Sequence, residues 1–465
     1  MKKSLYLTLL LLAVSLSGVC GAAVSVSRQH DQVVITQSLE KGDPAALDGL
    51  TVRLSTACQS LLWETTYLPG ASPKTETEFS FLKDGRAMSH NNDDTRIDRI
   101  YLRDDTTHLL HYDEEEEHQT GLSKAFHELA AVTAAGEETE KVIRLKDYVD
   151  HRTFDITVVV PTDEYVWKYN WRDIRPFEQD VYDNFHAFFK IPVLEDETFS
   201  ISLERDSKGN VWHLGGGTTQ SDRFDFMAQD QYQCVTEEAV YFTFWNRTVK
   251  GRIVDTSQIP GGYGIYRLPF TADFDPETET GILADQLEMV YAIDPEHLVL
   301  GLRCSLDQSR LLLHTCERGE YMLTVLDSET LEVLQRIPYA TEAEDWWLWE
   351  DEEQDIFLIT LGWEEYALFS LRGDGLYHLE FICEAGEIRL SDTEHDMAWD
   401  GQRLVLGAAD EYDIDHHCAF RFEVYDKTGP IYYGEYQNSL ALTNGTEHSS
   451  DCLPTWQHPI ELSWN

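Results

Sequence analysis

The chain reads YMLTVLDSETLEVLQRI from Tyr321 to Ile337. An apolar run, Tyr321–Leu326, leads into the polar segment Asp327–Thr330, and apolar residues then recur at alternate positions up to Ile337. Alternation with a period of two, together with β-branched and aromatic residues on both sides of a polar turn, is typical of paired strands. The stretch therefore predicts an antiparallel hairpin.

The same pattern occurs three more times. Tyr366–Leu371 returns through the turn Gly373–Gly375, Phe420–Tyr425 returns through Asp426–Gly429, and Gly264–Pro269 is a weaker copy. The copies start at residues 264, 321, 366 and 420, so they are 57, 45 and 54 residues apart. Further strand-like runs precede them: Leu298–Leu302, Arg310–Leu313, Asp355–Thr360 and Arg403–Gly407.

This spacing indicates a repeated unit of about four short strands. A repeat of roughly 40 to 50 residues with four strands has the size of one β-propeller blade. We therefore predict an all-β fold, a β-propeller of seven or eight blades with short helical or loop insertions in its N-terminal half. A strand near Val33–Gln37 is expected to pair with C-terminal strands, which would remove the exposed edges of an open sheet.

The first 27 residues have the character of a targeting segment. Lys2 and Lys3 precede an uncharged run, Ser4–Ser27, whose apolar centre is Leu5–Leu12. This order predicts a secretory signal peptide at residues 1–27. The run is also long enough for an uncleaved membrane anchor, and a lipid on Cys20 is a third alternative. Each alternative exports the rest of the chain, either secreted or attached to the outer side of the cytoplasmic membrane.

The composition is that of an acidic globular protein. The chain has 84 acidic residues against 36 Lys and Arg, a formal charge of −48, and 42% of its residues are hydrophobic. Such a surface repels phosphate groups, which excludes nucleic acid and anionic lipid as expected partners. The remaining expectations are a protein or carbohydrate partner outside the cell, with cationic ligands or tolerance of salt as reasons for the acidity.

Eight cysteines are present, and none forms a CxxC pair of the kind that binds zinc. Without Cys20 seven remain, so an oxidising compartment would leave at least one thiol or one intermolecular bond. Cys304 and Cys316 flank a predicted hairpin and are the first candidates for a disulfide. The alternative is that most cysteines are small buried residues within strands.

We predict one domain at residues 28–465, with insertions near residues 85–140 and 165–185. Within the first insertion, Ser123–Ala135 is expected to be helical, because Leu122, Phe126 and Leu129 recur on one face and Gly136 can end the helix. The second insertion, near residues 167–184, is expected to be a helix or a loop. Long insertions on a rigid scaffold are common places for binding sites.

Four strand-like runs carry a resemblance to a known group of proteins: Leu50–Leu54, Leu61–Tyr67, Val142–Tyr148 and Phe188–Leu194. With its surroundings, from about residue 31 to residue 215, this part of the chain resembles uncharacterised exported propeller-like proteins of Gram-positive gut bacteria. The resemblance implies a fold and an extracellular compartment. Because that family has no assigned activity, it implies no functional residues.

The segment Asp206–Gly215 has the sequence of a tight turn followed by a strand. It resembles the turn of sensor-type propellers and, more loosely, the Asp-box of sialidases, although Val211 stands where that motif has Ser or Thr. Asp206 is expected to cap the turn, Gly209 to adopt a positive φ, and Trp212 to pack between blades. These roles are structural.

Acidic and aromatic residues are concentrated in Glu342–Asp351, and again where Trp363 precedes two glutamates and a tyrosine. Trp346, Trp347, Trp349 and Trp363 are candidate ligand-binding residues, because aromatic faces beside carboxylates suit sugar rings and cationic groups. Two carboxyl groups about 5 to 9 Å apart would also suit glycoside hydrolysis. The alternative is a strand with its tryptophans in the core and its acids at the surface.

A second acidic segment, Asp410–His417, offers ligands for a metal ion. Asp410, Asp413 and Asp415 supply the oxygen atoms that calcium prefers, although the EF-hand pattern is absent. His416 and His417 could instead hold a transition metal, and a solvated loop is the simplest alternative. No other cofactor is predicted.

The sequence contains no GxSxG, HExxH, P-loop or GxGxxG motif. It therefore favours a non-catalytic binding protein outside the cell, which presents an acidic and aromatic propeller face to a protein or a carbohydrate. A propeller-fold glycoside hydrolase or lyase is the alternative. A deep pocket with convergent carboxylates would favour the enzyme, and a shallow surface with exposed aromatic rings would favour glycan binding.

Overall fold

The structure is a computed structural model. It describes residues 15–18, 21, 33–58, 61–70, 72–81, 99–104, 121–152, 154–160, 173–176, 179–218, 227–228, 231–275, 280–341, 346–350, 354–362, 364–388, 395–409, 420–439, 456–457 and 460–465. The predicted signal peptide or anchor at residues 1–27 lies almost entirely outside these ranges. Within them, no helix has both the length and the apolar character needed to cross a bilayer.

Two compact units divide the chain. Unit one comprises residues 1–89 and 343–465, and unit two comprises residues 90–342. Unit two contains the helices α1 (Gly121–Ala130) and α2 (Gln179–Phe188). The first begins two residues before the predicted helix Ser123–Ala135 and ends five residues before its end, and the second begins within the second predicted insertion. Three short 3-10 helices cover Pro44–Leu47, Leu145–Asp147 and Ala284–Gln286.

Strands make up most of the described chain, which confirms the all-β prediction. In the first half they are β1 (Ile35–Gly42), β2 (Leu50–Cys58), β3 (Leu61–Leu68), β4 (Lys74–Phe81), β5 (Arg99–Asp104), β6 (Glu138–Arg144), β7 (Phe154–Val160), β8 (Asp173–Pro176), β9 (Thr198–Arg205), β10 (Val211–Thr218), β11 (Met227–Ala228), β12 (Gln233–Val235), β13 (Ala239–Phe242), β14 (Gly264–Asp275) and β15 (Thr280–Ile282). In the second half they are β16 (Glu288–Ala292), β17 (Leu298–Cys304), β18 (Arg310–Glu317), β19 (Glu320–Asp327), β20 (Val333–Thr341), β21 (Trp346–Glu350), β22 (Ile356–Leu361), β23 (Glu365–Leu371), β24 (Tyr377–Glu384), β25 (His395–Trp399), β26 (Leu404–Ala409), β27 (Phe420–Asp426), β28 (Gly429–Asn438), β29 (Trp456–Gln457) and β30 (Glu461–Trp464).

The described strands of unit one form three antiparallel sheets. Sheet A has the order β1-β28-β27-β26-β25, and sheet C has the order β21-β22-β23-β24. Sheet B has the order β2-β3-β4, and both β29 and β30 pair with the outer side of β2.

The described strands of unit two form four antiparallel sheets. Sheet D has the order β10-β9-β6, sheet E the order β11-β5-β7-β8, and sheet G the order β17-β18-β19-β20. Sheet F is built on β14, which pairs with β13, β15 and β16, while β12 pairs with β13.

The four hairpin stretches recognised in the sequence all form strands at the expected places. In three of the turns an aspartate accepts a hydrogen bond from the backbone N–H two residues later: Asp327 from Glu329, Asp374 from Leu376 and Asp426 from Thr428. This side-chain bond replaces part of the backbone pairing that a tight turn loses. The return strand after Asp327 starts at Val333 instead of Leu331, because Leu331 belongs to the turn with a φ of 58°.

The two ends of the chain complete two sheets of unit one. The N-terminal strand β1 pairs with β28, from Ile35 opposite Asn438 to Gly42 opposite Tyr432. The C-terminal strand β30 pairs with β2, and the backbone N–H of Asn465 donates to the carbonyl of Gly49 at 2.8 Å. The predicted pairing of the N-terminal strand with C-terminal strands is therefore confirmed.

Sheet A is packed on both of its faces. On one face, Phe420, Phe422 and Tyr436 stack on each other, at ring-centroid distances of 5.2 Å and 4.7 Å, within a core cluster shared with sheet B. On the other face, residues of β25, β26 and β27 share a second core cluster with sheet C. The alternation of side chains along each strand lets one sheet serve two cores.

The C-terminal strand is expected to contribute strongly to the stability of unit one. Leu462 is buried between β2 and β26, so Leu462→Ala removes apolar contacts and leaves a cavity. We expect the free energy of unfolding to fall by about 2 to 4 kcal/mol, measured by urea denaturation. Glu461→Gln, which changes an exposed residue of the same strand, is the control. Equal stability of the two variants would show that the strand is not part of the cooperative core.

The structure contradicts the proposed pairing of Cys304 and Cys316, which are both free thiols. Cys304 lies opposite Leu311 in the β17–β18 ladder, five residues from Cys316 along the strand. Five residues span about 17 Å, whereas the Cα atoms of a disulfide lie about 4.4 to 6.8 Å apart. The described cysteines lie in strands β2, β12, β17, β18 and β24, as the alternative interpretation predicted, but of these Cys234 and Cys383 are buried whereas Cys304 and Cys316 are half-buried.

Glutamates lie directly opposite each other at several positions in the sheets. Three exposed or half-buried pairs are Glu64 with Glu78, Glu138 with Glu204, and Glu365 with Glu384. Like charges that face each other across two strands destabilise a sheet. The acidity of the chain is therefore built into the strands as repulsion and is not confined to loops.

Added salt should stabilise the protein. At about 1 M salt the screening length falls to about 3 Å, which is shorter than the spacing of cross-strand side chains. We expect the Tm to rise as NaCl is raised from about 20 mM to about 1 M. Glu64→Gln should raise the Tm at low salt and make it less dependent on salt. A Tm that falls with NaCl would contradict this account.

Candidate functional site

The residues proposed from the sequence fall at the edge of the described structure or beyond it. Trp346, Trp347 and Trp349 lie in β21, whose backbone pairs with β22, and their side chains lie outside the described part. Trp363, and likewise Asp410, Asp413 and Asp415, lie outside the described residues. In the ranges that the structure covers, no group of three or more His, Cys, Asp or Glu side chains is arranged to hold a metal ion. The tryptophan and calcium hypotheses therefore stay predictions.

Trp212 is exposed, which contradicts the expectation that it packs between blades. Val211 lies opposite Arg205 and His213 lies opposite Glu204, so Trp212 is the extra residue of a β-bulge in β10. Bulges redirect side chains and often occur at sheet edges and binding sites. Trp212 therefore does not pack in a core, and the residue is 75% exposed.

The turn before Trp212 otherwise forms as predicted. The carboxylate of Asp206 accepts hydrogen bonds from the backbone N–H groups of Lys208 and Asn210, at 2.8 Å and 2.9 Å. Gly209 has a φ of 90°. Hydrogen bonds to the carboxylate, above all from the side chain of Asn210, lower the pKa of Asp206. This turn fixes where β10 begins and therefore where Trp212 lies.

One face of sheet D is covered by α1. Phe199, Ile201 and Leu203 alternate along β9 and are buried in one cluster with Phe126 and Leu129 of the helix. The apolar stripe of α1 and the alternation of β9 meet because both place apolar side chains on one side. The intervening residues of β9 must then lie on the opposite face of the sheet.

That opposite face is polar and reaches solvent. Its residues are exposed or half-buried and form three rows across β6, β9 and β10. The rows are Glu138, Glu204 and His213; then Glu140, Ser202 and Gly215; then Val142, Ser200 and Gly217. At about 3.4 Å per residue and 4.8 Å per strand, the rows cover an area about 14 Å long and 10 Å wide. We call this face, together with Trp212 at its β10 edge, the Trp212 platform.

Two glycines keep the platform flat on the β10 side. A Cβ atom at Gly215 would lie 2.5 Å from the Oγ of Ser202, so a side chain there would displace the Ser202 hydroxyl. A Cβ atom at Gly217 would meet nothing within 4 Å, so the space above that residue is open. Beside them, the hydroxyl of Ser200 donates to the carboxylate of Glu140 at 2.6 Å. The platform therefore presents hydroxyl and carboxylate groups of β6 and β9 beside two positions of β10 that carry no side chain.

Glu423 is a buried carboxyl group with a different role. It accepts hydrogen bonds from the backbone N–H groups of Glu387 and Ile388 and from the hydroxyl of Tyr425, at 2.9, 3.1 and 2.7 Å. Burial is the largest cause that raises the pKa of Glu423 above its ordinary value. Gly386 packs against the carboxylate, where a Cβ would lie only 2.0 Å from an oxygen. This group anchors the loop after β24 and has no open side for a substrate.

The free energy of unfolding should depend on pH through the titration of Glu423. Because its pKa is raised in the folded protein, the folded state binds more protons than the unfolded chain above pH 4.5, and the free energy of unfolding falls as the pH rises through the folded pKa. Glu423→Gln removes this titration while one oxygen still accepts the hydrogen bonds. We expect the wild type to lose more stability than Glu423→Gln between about pH 4.5 and pH 7, measured by urea denaturation.

The exposed residue Glu76 provides the control, because Glu76→Gln should leave this pH dependence unchanged. Parallel pH profiles for the wild type and Glu423→Gln would contradict the assignment.

His314 is a second buried titratable residue that belongs to a core. Its ring lies 6.3 Å from that of Tyr339, and burial lowers the pKa of His314 to about 3. It therefore stays neutral at neutral pH, inside sheet G.

The platform cannot be recognised in the sequence because its members are far apart in the chain. Glu138, Ser202 and Trp212 become neighbours only through the register of three strands. The bulge that exposes Trp212 shows in the sequence only as a spacing of three between Val211 and Leu214, which both pack against the core although a regular strand would place them on opposite faces. The triple glycine Gly215–Gly217 was the one available signal of a flat surface.

Comparison with known proteins adds little to this geometry. No family model and no curated protein matches the chain. Among solved structures, a putative 6-phosphogluconolactonase from Bacteroides fragilis is 8% identical, with 84% of this chain and 99% of that chain covered and a TM-score of 0.31. TolB from Acinetobacter baumannii is also 8% identical, with 89% and 82% covered and a TM-score of 0.24. The β-propeller domain of Cps50 (Swd1) from Myceliophteria thermophila is 13% identical, with 50% and 80% covered and a TM-score of 0.24. Likenesses with such low TM-scores carry no argument about fold or function.

Proposed function

We propose that the chain is an exported, non-catalytic binding protein with a β-propeller fold, which holds a carbohydrate on the Trp212 platform. The observation that carries the proposal is the solvent-exposed Trp212 at the edge of a flat, polar sheet face. The carbohydrate is preferred to a protein partner because the platform has no broad apolar patch, which a protein interface would need at its centre.

Three features support the propeller. The described strands form seven antiparallel sheets of three to five strands, and three of these sheets, C, F and G, consist wholly of strands that follow one another in the chain. Sheet A packs against sheet B with one face and against sheet C with the other, as successive blades do. Strands from both ends of the chain complete sheets A and B, which is how a ring of blades would be closed without free edges.

Sugars suit the platform because they combine apolar faces with hydroxyl groups. An indole ring stacks on the apolar face of a sugar ring, and carboxylates and hydroxyls exchange hydrogen bonds with the sugar hydroxyls. Trp212, Glu140 and Ser202 supply these groups within two rows of the sheet. The absence of side chains at Gly215 and Gly217 gives a ring room to lie on the strands.

A hydrolase is the alternative that the geometry favours less. Glycoside hydrolysis needs two carboxyl groups at a fixed distance around the glycosidic bond, one of them kept protonated by its surroundings. Glu138 is exposed and Glu204 is half-buried, on an open surface. The buried carboxylate of Glu423 already accepts hydrogen bonds from three donors.

Export remains part of the proposal because of the sequence of residues 1–27.

The proposal is tested with residues 28–465 and a panel of neutral and charged oligosaccharides, measured by isothermal titration calorimetry. Trp212→Ala should weaken binding at least tenfold, about 1.4 kcal/mol, because the stacking face is lost. Trp212→Phe should restore part of the affinity. Gly217→Val should also weaken binding without harming the fold, because its Cβ has open space and would occupy the platform.

Leu334→Ala is the control, because it removes an exposed apolar side chain from sheet G. The proposal is overturned if no oligosaccharide binds, or if Trp212→Ala and Gly217→Val both bind as the wild type does.

A further inference from the structure

The first row of the Trp212 platform contains an unneutralised pair of carboxylates. Glu138 of β6 and Glu204 of β9 lie directly opposite each other, which puts their Cβ atoms about 5 Å apart. Within the described residues, neither side chain has a cation or a hydrogen-bond donor as a partner. Two negative charges at this distance repel each other, and a positive charge placed between them would relieve the repulsion.

The cationic side chains of sheet D all contact groups other than Glu138 and Glu204 in the described structure. Lys141 pairs with Glu128 at 3.2 Å, and Arg144 pairs with Glu195 at 2.8 Å. The guanidinium of Arg205 donates to the backbone carbonyls of Gly209 and Ala130. The sheet therefore neutralises carboxylates around the platform but leaves the Glu138–Glu204 pair.

The remaining charged groups near this pair do not neutralise it. Lys208, in the turn between β9 and β10, is exposed and forms no ion pair with Glu204 in the described structure. His213, which lies opposite Glu204, is exposed. The Glu138–Glu204 pair faces solvent. The exposed Trp212 directly precedes His213, the residue opposite Glu204.

We propose that the carbohydrate held by the platform carries protonated amino groups, as an oligomer of glucosamine with free amines does. This inference rests on the proposed function and specifies its ligand. An ammonium group between Glu138 and Glu204 gains charge-assisted hydrogen bonds, and the face of Trp212 attracts both the cation and the sugar ring. A metal ion is a poorer occupant, because the described residues offer no third ligand in a suitable position.

The experiment compares a glucosamine hexamer with its N-acetylated counterpart, which has the same rings but no charge. Both are titrated into residues 28–465 at about pH 6 and low salt. We expect the wild type to bind the free-amine hexamer at least tenfold more tightly, and added NaCl to reduce this preference by screening. Glu138→Gln combined with Glu204→Gln should lower the affinity for the free-amine hexamer to that for the acetylated one, whose own affinity should stay unchanged.

A matched control is available in sheet B. Glu64 and Glu78 form the same kind of opposed pair, but the neighbouring Trp63 is buried. Glu64→Gln combined with Glu78→Gln removes the same charge from the chain, and it should leave the preference intact. An equal loss of preference in this control would overturn the inference, because the effect would then come from net charge.

Three other results would overturn the inference and locate the failure. If both hexamers bind the wild type equally and Trp212→Ala weakens both, the carbohydrate site stands and the amine preference fails. If neither hexamer binds, while another neutral glycan does so through Trp212, the inference fails in the same way. If spermidine, which has amines but no ring, competes as well as the glucosamine hexamer, the pair binds cations without a sugar.

Discussion

Unit one depends on backbone hydrogen bonds between segments about four hundred residues apart in the chain. β1 supplies the outer strand of sheet A, and β30 supplies the outer strand of sheet B. The core between these sheets takes residues from both ends of the chain, including Leu50, Val52 and Leu462. Closing so long a loop has an entropic cost that grows only slowly with length, so burial of this core can offset it. The inner strands then gain a partner on each side and two packed faces.

Hairpins were predictable from the sequence because strand alternation and turn chemistry are local. Tyr321–Leu326 and the turn at Asp327 show both signals within a dozen residues, and the structure places strands there. The pairing of the N-terminal strand with C-terminal strands could be predicted because the edge strand of a sheet needs a partner or a cover. Register was not predictable, so the distance between Cys304 and Cys316 was misjudged. The exposure of Trp212 depends on a bulge of one residue, and the sequence marks it only by the odd spacing of Val211 and Leu214, which becomes informative once both are known to pack on one core. For the same reason the platform, which only register assembles, could not be predicted.

Acidity has two different consequences in this fold. Where a carboxylate receives donors, as at Asp206, Asp327 and Glu423, it fixes the backbone of a turn or loop. Where two glutamates face each other, as at Glu138 and Glu204, the charge is a local destabilisation that the rest of the sheet must compensate. A surface under such strain binds a cation more readily than a neutral surface does. If the platform binds a cationic ligand as proposed, the stability of the sheet and the affinity for that ligand depend on the same side chains.

The strands contributed by the two ends of the chain also set the order in which the protein folds during synthesis. Every described strand of unit two lies between residues 90 and 342, so that unit has all its partners once this segment has been made. Sheet B cannot be completed at that time, because β2 has to wait for β29 and β30. At about 5 to 20 residues per second, the wait for some 400 residues is roughly 20 to 80 seconds. Throughout that interval the outer edge of β2 has no partner strand, and an open edge is where a growing chain associates with its neighbours. In a nascent chain of this protein, that edge therefore stays open to other chains until the last strands have been made.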